Sequence, residues 1–239
     1  RPVMDLDRAL AFSRYADRTF ATSPALRDEI IATLDAPFDW AIADAALEAC
    51  IDAGNPVALA TAMRRLRRRV FVHSMLRDLT GRATLVEIVQ TISTLAERTL
   101  AAAIAVHTRV LIQAHGRPVG DETGLVQALV VIGMGKLGGR ELNVSSDIDL
   151  VFAYPEDGDT DGPRRISNRE FFDRLGQRVI AWISHVDADG YVFRVDMRLR
   201  PYGESGPLTV SFAALERYLV TQGRAWERYA WLKARPLTG

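Results

Sequence analysis

Gly138-Gly-Arg-Glu-Leu-Asn-Val-Ser-Ser-Asp-Ile-Asp-Leu-Val-Phe-Ala-Tyr154 runs from a glycine turn into a short apolar stretch, and two aspartates stand at the junction. Ile148–Tyr154, rich in branched and aromatic side chains, predicts a buried strand. Asp147 and Asp149 lie two residues apart at its start and so share a face, with Cα atoms ~6.6 Å apart. That spacing lets both carboxylates converge on one cation or bridge a pair of metals ~3.5–4 Å apart. Hard oxygen donors favour Mg2+, with Mn2+ as the second choice. Gly138 and Gly139 can offer backbone amides, and Ser146 a hydroxyl, to phosphate oxygens. An Asp-x-Asp pair alone is weak, because such pairs are common and often merely solvated.

The segments that follow add to it. Tyr191–Arg200 alternates, with Tyr191, Phe193, Val195, Met197 and Leu199 on one side and Arg194, Asp196, Arg198 and Arg200 on the other. This predicts a half-buried strand with a charged open face. Asp196 is then a third carboxylate for a two-metal site, and Arg194, Arg198 and Arg200 can neutralise a transferring phosphate. The plainer reading is a strand with surface ion pairs; the Gly-Gly turn and Asp-x-Asp opening the other strand weigh against it. Pro155–Pro163 reads as a polar loop. Ser167-Asn-Arg-Glu170 predicts a capping box and a helix with Phe172, Leu175, Val179, Ile183 and Val186 on its inner face. Pro201 and Gly203 stop the charged strand, and helix resumes from about Ser211 to Ala234. There Trp226, Tyr229 and Leu232 recur at helical spacing and are expected in the core.

Upstream, Ala128–Gly133 reads as another buried strand. Gly133-Met-Gly-Lys-Leu-Gly138 satisfies G-x-G-x-x-G, but only eight residues, Gly139–Ser146, precede the next strand, too few for the crossover a dinucleotide fold needs. Lys136 lacks a following Ser or Thr, so a Walker A loop fails as well. From Asp5 to about Gly120 the text is helical. Leu59, Met63, Leu66 and Val70 form one stripe, and the arginines from Arg64 to Arg69 are expected on a solvated face. A long helix is predicted from about Leu85 to His115, closed by Gly116 and Pro118. The division falls near residue 120, with a helical region over 1–120 and a catalytic region over 121–239.

The 239 residues carry 30 basic and 30 acidic side chains, so nothing argues for a nucleic-acid binder. Cys50 stands alone and permits no internal disulfide. His73, His107, His115 and His185 share no ligand spacing. Asp157-Gly-Asp-Thr-Asp-Gly162 opens like a calcium loop but has Asn168 where a bidentate glutamate is needed, so it reads as a solvated acidic loop. No run reaches the ~20 apolar residues that span a bilayer. The expectation is a cytoplasmic protein with no membrane partner, and its ends suggest a piece of something longer.

The glycine pair, Ser-Asp-x-Asp and distant strand aspartate resemble the nucleotidyltransferase superfamily that includes DNA polymerase beta. Gly133–Asp149, Val195–Gly203 and Gln222–Arg235 further resemble the bifunctional glutamine synthetase adenylyltransferases. The resemblance implies an α+β fold: a polymerase beta-like mixed sheet with flanking helices, preceded by an all-helical region. It also implies a family with two such domains, one removing AMP from a glutamine synthetase tyrosine by phosphorolysis and one adding AMP from ATP. Asn143-Val-Ser-Ser, Asp196-Met-Arg and Tyr202-Gly are more similar to the AMP-removing copy. On that resemblance Asp147, Asp149 and Asp196 hold Mg2+, Gly138, Gly139 and Ser146 cradle the nucleotide phosphate, and Arg194, Arg198 or Arg200 holds the attacking phosphate. Adenylylated glutamine synthetase, orthophosphate, ADP or ATP, and a PII-type signalling protein are the implied partners. The alternatives are adenylylation of glutamine synthetase from ATP, a nucleic-acid nucleotidyltransferase and a non-catalytic nucleotide-binding module; neutral charge opposes the second, and three intact aspartates the third.

Overall fold

Helix caps set the first half. The structure, a computed structural model, describes residues 5–238, so residues 1–4 and 239 of the two regions lie outside it. Asp5 caps α1 (Leu6–Phe12) and Ser13 caps α2 (Arg14–Thr22), each side chain accepting from the backbone amide three residues on. Then follow α3 (Pro24–Thr33), α4 (Ala41–Asp52), α5 (Pro56–Leu79) and α6 (Leu85–His115). Asn55 caps α5 ahead of Pro56, and Thr84 caps α6, which stops at Gly116. The expected stripe of Leu59, Met63, Leu66 and Val70 is buried throughout.

The arginine cluster on α5 departs from the expected solvated face. Arg64 is 3% exposed and its guanidinium lies 2.8 Å from Asp187. Arg68 bonds Asp189 at 2.9 Å, and Arg67 lies between the rings of Phe71 and Tyr191, 4.1 and 4.4 Å from their centroids. Long side chains with apolar stems can be buried once the charged head finds a partner. Here the partners belong to the loop after the helix of residues 168–184, which the arginines clamp onto α5.

The second half contains β1 (Pro118–Gly120), β2 (Val130–Gly133), the single turn α7 (Gly135–Gly138), β3 (Ile148–Tyr154), β4 (Gly158–Thr160) and α8 (Asn168–Ser184). It ends with β5 (Val195–Asp196), β6 (Thr209–Ser211), α9 (Phe212–Thr221), α10 (Ala225–Ala230) and β7 (Arg235–Pro236). β3 is the centre of a mixed sheet. β2 pairs with it antiparallel on one edge and with β7 beyond; β5 and β6 run parallel along the other edge, one after the other. This is the α+β arrangement expected, with an antiparallel β2–β3 step where a dinucleotide fold would have a crossover.

The apolar run of β3 is explained by cover on both faces. Phe152 and Leu150 join one cluster with Leu95 and Leu100 of α6 and Phe172, Leu175 and Val179 of α8. Val151 and Ala153 join another with Ile132, Met134, Val210 and Leu215. The first cluster continues to Met63 and Leu66 of α5, so apolar packing is continuous across residue 120.

Several local expectations are corrected. Within the stretch read as a loop, Gly158–Thr160 pairs antiparallel with Pro118–Gly120; three residues without apolar alternation carry no strand signal. Ser167 caps α8, accepting from the Glu170 amide at 3.2 Å, but the Glu170 carboxylate pairs with Arg174 at 2.5 Å. α8 ends at Ser184, so Val186 lies beyond it and is exposed. The helix read from Ser211 to Ala234 breaks between α9 and α10. The six residues of α10 pass into a 3-10 turn at Trp231–Lys233, which disturbs the helical phase. Trp226, Tyr229 and Leu232, expected in the core, are 53%, 75% and 76% exposed, and Ala230 and Trp231 pack inward instead.

Candidate active site

The site is built where β3 begins. Ile148 donates its amide to the Arg194 carbonyl at 3.0 Å, and Asp149 is the register partner of Asp196 on parallel β5. Partners on adjacent strands project to the same face of a sheet, so these two carboxylates are neighbours. Burial raises the Asp149 carboxyl above its ordinary value, and the like charges of Asp196 and Asp147 raise it further; Arg198 and Lys136 pull the other way. The charges of Asp196 and Asp147 are thus felt at Asp149. Asp147 itself accepts from Arg194 Nε at 2.5 Å.

The ten-residue strand expected over Tyr191–Arg200 is two residues long. Val192 and Phe193 are both buried, and both amides donate to the Ile183 carbonyl at 3.1 Å as the chain wraps the end of α8. Alternation there is coincidence of composition rather than a pleat. Pairing stops straight after Asp196 because its Oδ1 accepts from the Arg198 amide at 2.8 Å, a local turn that competes with the ladder. The same carboxylate takes the Arg198 guanidinium, with Nε 2.9 Å from Oδ2. That contact holds the Asp196 carboxyl below its usual range.

The three arginines are thus not equivalent. Arg194 and Arg198 are exposed and lie on the carboxylates. Arg200 is turned away: its guanidinium donates to the Met197 and Glu204 carbonyls, each at 2.9 Å.

The glycine turn sits beneath the carboxylates. Gly135 adopts φ +51°, and a Cβ there would lie 3.3 Å from Asp149 Oδ2. At Gly138 a Cβ would fall 1.7 Å from the Lys233 carbonyl oxygen, so this glycine serves close packing of the C-terminal segment. Arg235 fixes that packing, with Nε 3.0 Å from the Gly138 carbonyl and a 2.5 Å contact to Glu97 on α6. Gly139 is exposed. Ser146 is half-buried and donates to Asn143 Oδ1 at 2.9 Å, 3.4 Å from Lys136 Nζ. Lys136 and Asn143 are the residues of this corner that sequence reasoning did not assign, whereas Arg235 lies in the Gln222–Arg235 motif, whose charged residues could be expected either to face the cleft or to be solvated. Lys136 lies within the glycine motif, where the absence of a following Ser or Thr speaks only against a Walker A loop.

By donor type, the carboxylates of Asp147, Asp149 and Asp196 suit a hard divalent cation. Among the described residues, no group of three acidic, His or Cys side chains is placed to hold a metal ion, and Asp147 and Asp196 are each engaged by a guanidinium. A cation would displace those contacts. The acidic loop offers no rival: Asp157 accepts from Tyr154 and Ser211, Asp159 pairs with Arg165, and Asp161 with Arg117. A cavity of about 420 Å³ between α5 and the end of α8 involves none of the candidate residues.

A small mixed sheet with flanking helices, a glycine turn and register-paired aspartates at one strand end define a nucleotidyltransferase-like α+β protein. The chain matches the glutamate-ammonia ligase adenylyltransferase family over residues 3–239, and it belongs to that family. It is similar to the bifunctional glutamine synthetase adenylyltransferase/adenylyl-removing enzyme of Chromobacterium violaceum, 52% identical over 97% of this chain and 26% of the relative. The enzyme of the same name from Nitrosomonas europaea is 48% identical over 96% of this chain and 25% of the relative. That from Bordetella pertussis is 56% identical over 72% of this chain and 18% of the relative. The chain spans about a quarter of the length of the first two. Among the described residues, no helix is long and apolar enough to cross a membrane.

Proposed function

We propose that this chain removes AMP from the adenylylated tyrosine of glutamine synthetase by phosphorolysis, giving ADP and the unmodified enzyme. The observation that carries it is the register pairing of Asp149 with Asp196, with Asp147 beside them, in a chain of this family. The relatives' names couple an adenylyl-transferring and an adenylyl-removing activity on glutamine synthetase. The motifs Asn143-Val-Ser-Ser, Asp196-Met-Arg and Tyr202-Gly favour the removing one. On this reading residues 121–239 do the chemistry and residues 1–120 brace them.

An oxygen of orthophosphate attacks the α-phosphorus, the bond from phosphorus to the tyrosyl oxygen breaks, and the tyrosinate takes a proton from water. Tyrosinate is a fair leaving group, its acid having a pKa of ~10. Asp147, Asp149 and Asp196 would hold Mg2+ or Mn2+, which would neutralise charge building on the phosphoryl oxygens. Orthophosphate is already ionised, so Asp196 positions rather than deprotonates. Arg194 and Arg198 lie where repulsion between two anions must be offset. Gly139 and Ser146 border the same corner. A PII-type regulator and a cytoplasmic setting belong to this reading too.

Adenylylated glutamine synthetase, labelled in the AMP, tests it when incubated with the protein, phosphate and Mg2+. Labelled ADP is the expected product. Free AMP would replace phosphorolysis by hydrolysis, and AMP transfer from ATP to unmodified glutamine synthetase would reverse the assigned direction.

A further inference from the structure

The exposed Trp226 does not stand on open surface. It lines a cavity of about 370 Å³ bounded also by Arg198, Tyr202, Tyr218, Gln222 and Arg224. That volume falls within the ~300–1,000 Å³ typical of small-molecule sites. Arg198, whose guanidinium grips Asp196, is one of its lining residues, so the cavity adjoins the carboxylate corner through that side chain. Two aromatic rings in it are half uncovered, Tyr202 at 51% and Trp226 at 53%.

The floor is fixed by contacts that serve no packing need of the sheet. Glu227 accepts from the Tyr218 hydroxyl at 2.5 Å and from the Arg224 amide at 2.8 Å. The Tyr202 ring meets the Tyr218 ring edge-on at 4.6 Å. Tyr202 has φ +63°, a left-handed conformation that a bulky residue rarely adopts, and the Ser205 hydroxyl donates to its carbonyl at 3.0 Å. Strain of this kind, retained beside a site, points to a task for the side chain it places.

We propose that this cavity is a nucleobase subsite, taking the adenine ring against Trp226 and Tyr202 while the phosphates reach past Arg198 to the carboxylates. The assignment rests on the nucleotidyltransferase reading above. Every base has a face that can stack on an aromatic ring, and guanidinium planes such as that of Arg224 serve the same purpose. Gln222 brings both a donor and an acceptor, which the edge of adenine requires.

Calorimetric titration with ADP in the presence of Mg2+ tests it, with inorganic pyrophosphate as the probe that lacks a base. Trp226→Leu should weaken ADP binding roughly ten-fold or more. Trp226→Phe, which keeps a ring, should restore most of it, and pyrophosphate should bind alike in all three proteins. Unchanged ADP affinity in Trp226→Leu would overturn the subsite, as would an equal loss for ADP and pyrophosphate. Wild-type protein that binds neither probe would overturn the nucleotidyltransferase reading itself and the subsite with it. Trp226 lies on an exposed short helix, and unaltered thermal unfolding of the variants would show that the fold is kept.

Discussion

β3 and β5 carry the two facing carboxylates of one site, yet they are made differently. β3 is seven residues long, covered on both faces and paired along both edges. β5 is two residues long, half exposed, and ends in a turn made by its own aspartate. The same register brings Asp149 and Asp196 together, but the sheet holds one and an arginine holds the other. Asp149 is the fixed half of the site and Asp196 the half held by a guanidinium, which on the proposed function would give way to a cation and pass to phosphate.

Removing charge from the fixed half has the largest expected effect. Asp149→Asn should abolish AMP removal while keeping the fold, since it preserves side-chain volume. Its ionised carboxyl opposes folding, because the folded-state pKa is raised above the unfolded one. The variant should therefore be no less stable than wild type at neutral pH in chelator, and unfolding with denaturant would show it. Activity retained under Mg2+ would remove Asp149 from the metal site.

Next comes the contrast in packing. Phe152→Ala in β3 should cost about 3–5 kcal/mol, as truncation of a fully buried aromatic does. Val195→Ala in half-exposed β5 should cost about 1 kcal/mol or less. Equal costs, measured by chemical denaturation, would end the distinction between the arms.

Acid should act on the scaffold under β3. His107 of α6 lies against Trp182 of α8, and burial, aided by the charge of Arg178, pushes its pKa down to about 4. A folded-state pKa below the ordinary 6.5 means the unfolded chain takes the proton more readily. Stability is therefore lost as pH falls from about 6.5, the loss approaching about 3 kcal/mol near pH 4. His107→Phe should lack that component, and the difference between the two pH profiles isolates it from the carboxylates.

Of the two effects expected on catalysis, the smaller belongs to Arg198. If Arg198 passes from Asp196 to phosphate during turnover, Arg198→Ala should chiefly raise the phosphate requirement, by roughly ten- to 150-fold, the equivalent of ~1.5–3 kcal/mol. Binding of the adenylylated protein should change much less. A lower maximal rate with unchanged phosphate dependence would make Arg198 a structural partner of Asp196.

The difference between the arms also explains what could be read from the sequence. β3 was legible because cover on both faces demands an unbroken apolar run with sharp ends. α6 was legible because a buried helix face must repeat at three and four residues, and Gly116 and Pro118 mark its end; the Thr84 cap emerged only from the structure. β5 was not, because Val192 and Phe193 are both buried and mimic part of a pleat while serving the end of α8. The clamp made by Arg64, Arg67 and Arg68 was hidden as well, since its partners Asp187, Asp189 and Tyr191 lie more than a hundred residues away. The three aspartates were visible as chemistry. Which arginine faces them, and that Trp226 borders a cavity, follows only from where the turns after Asp196 and Thr221 send the chain.

Binding of Mn2+, followed by the loss of its free-ion paramagnetic resonance signal, tests most directly whether the two arms share a cation. Wild-type protein should bind the ion, and Asp149→Asn and Asp196→Asn should each weaken binding by roughly ten-fold or more, as loss of one anionic ligand from a hard-cation site implies. Binding that survives unchanged in either variant would contradict the shared site.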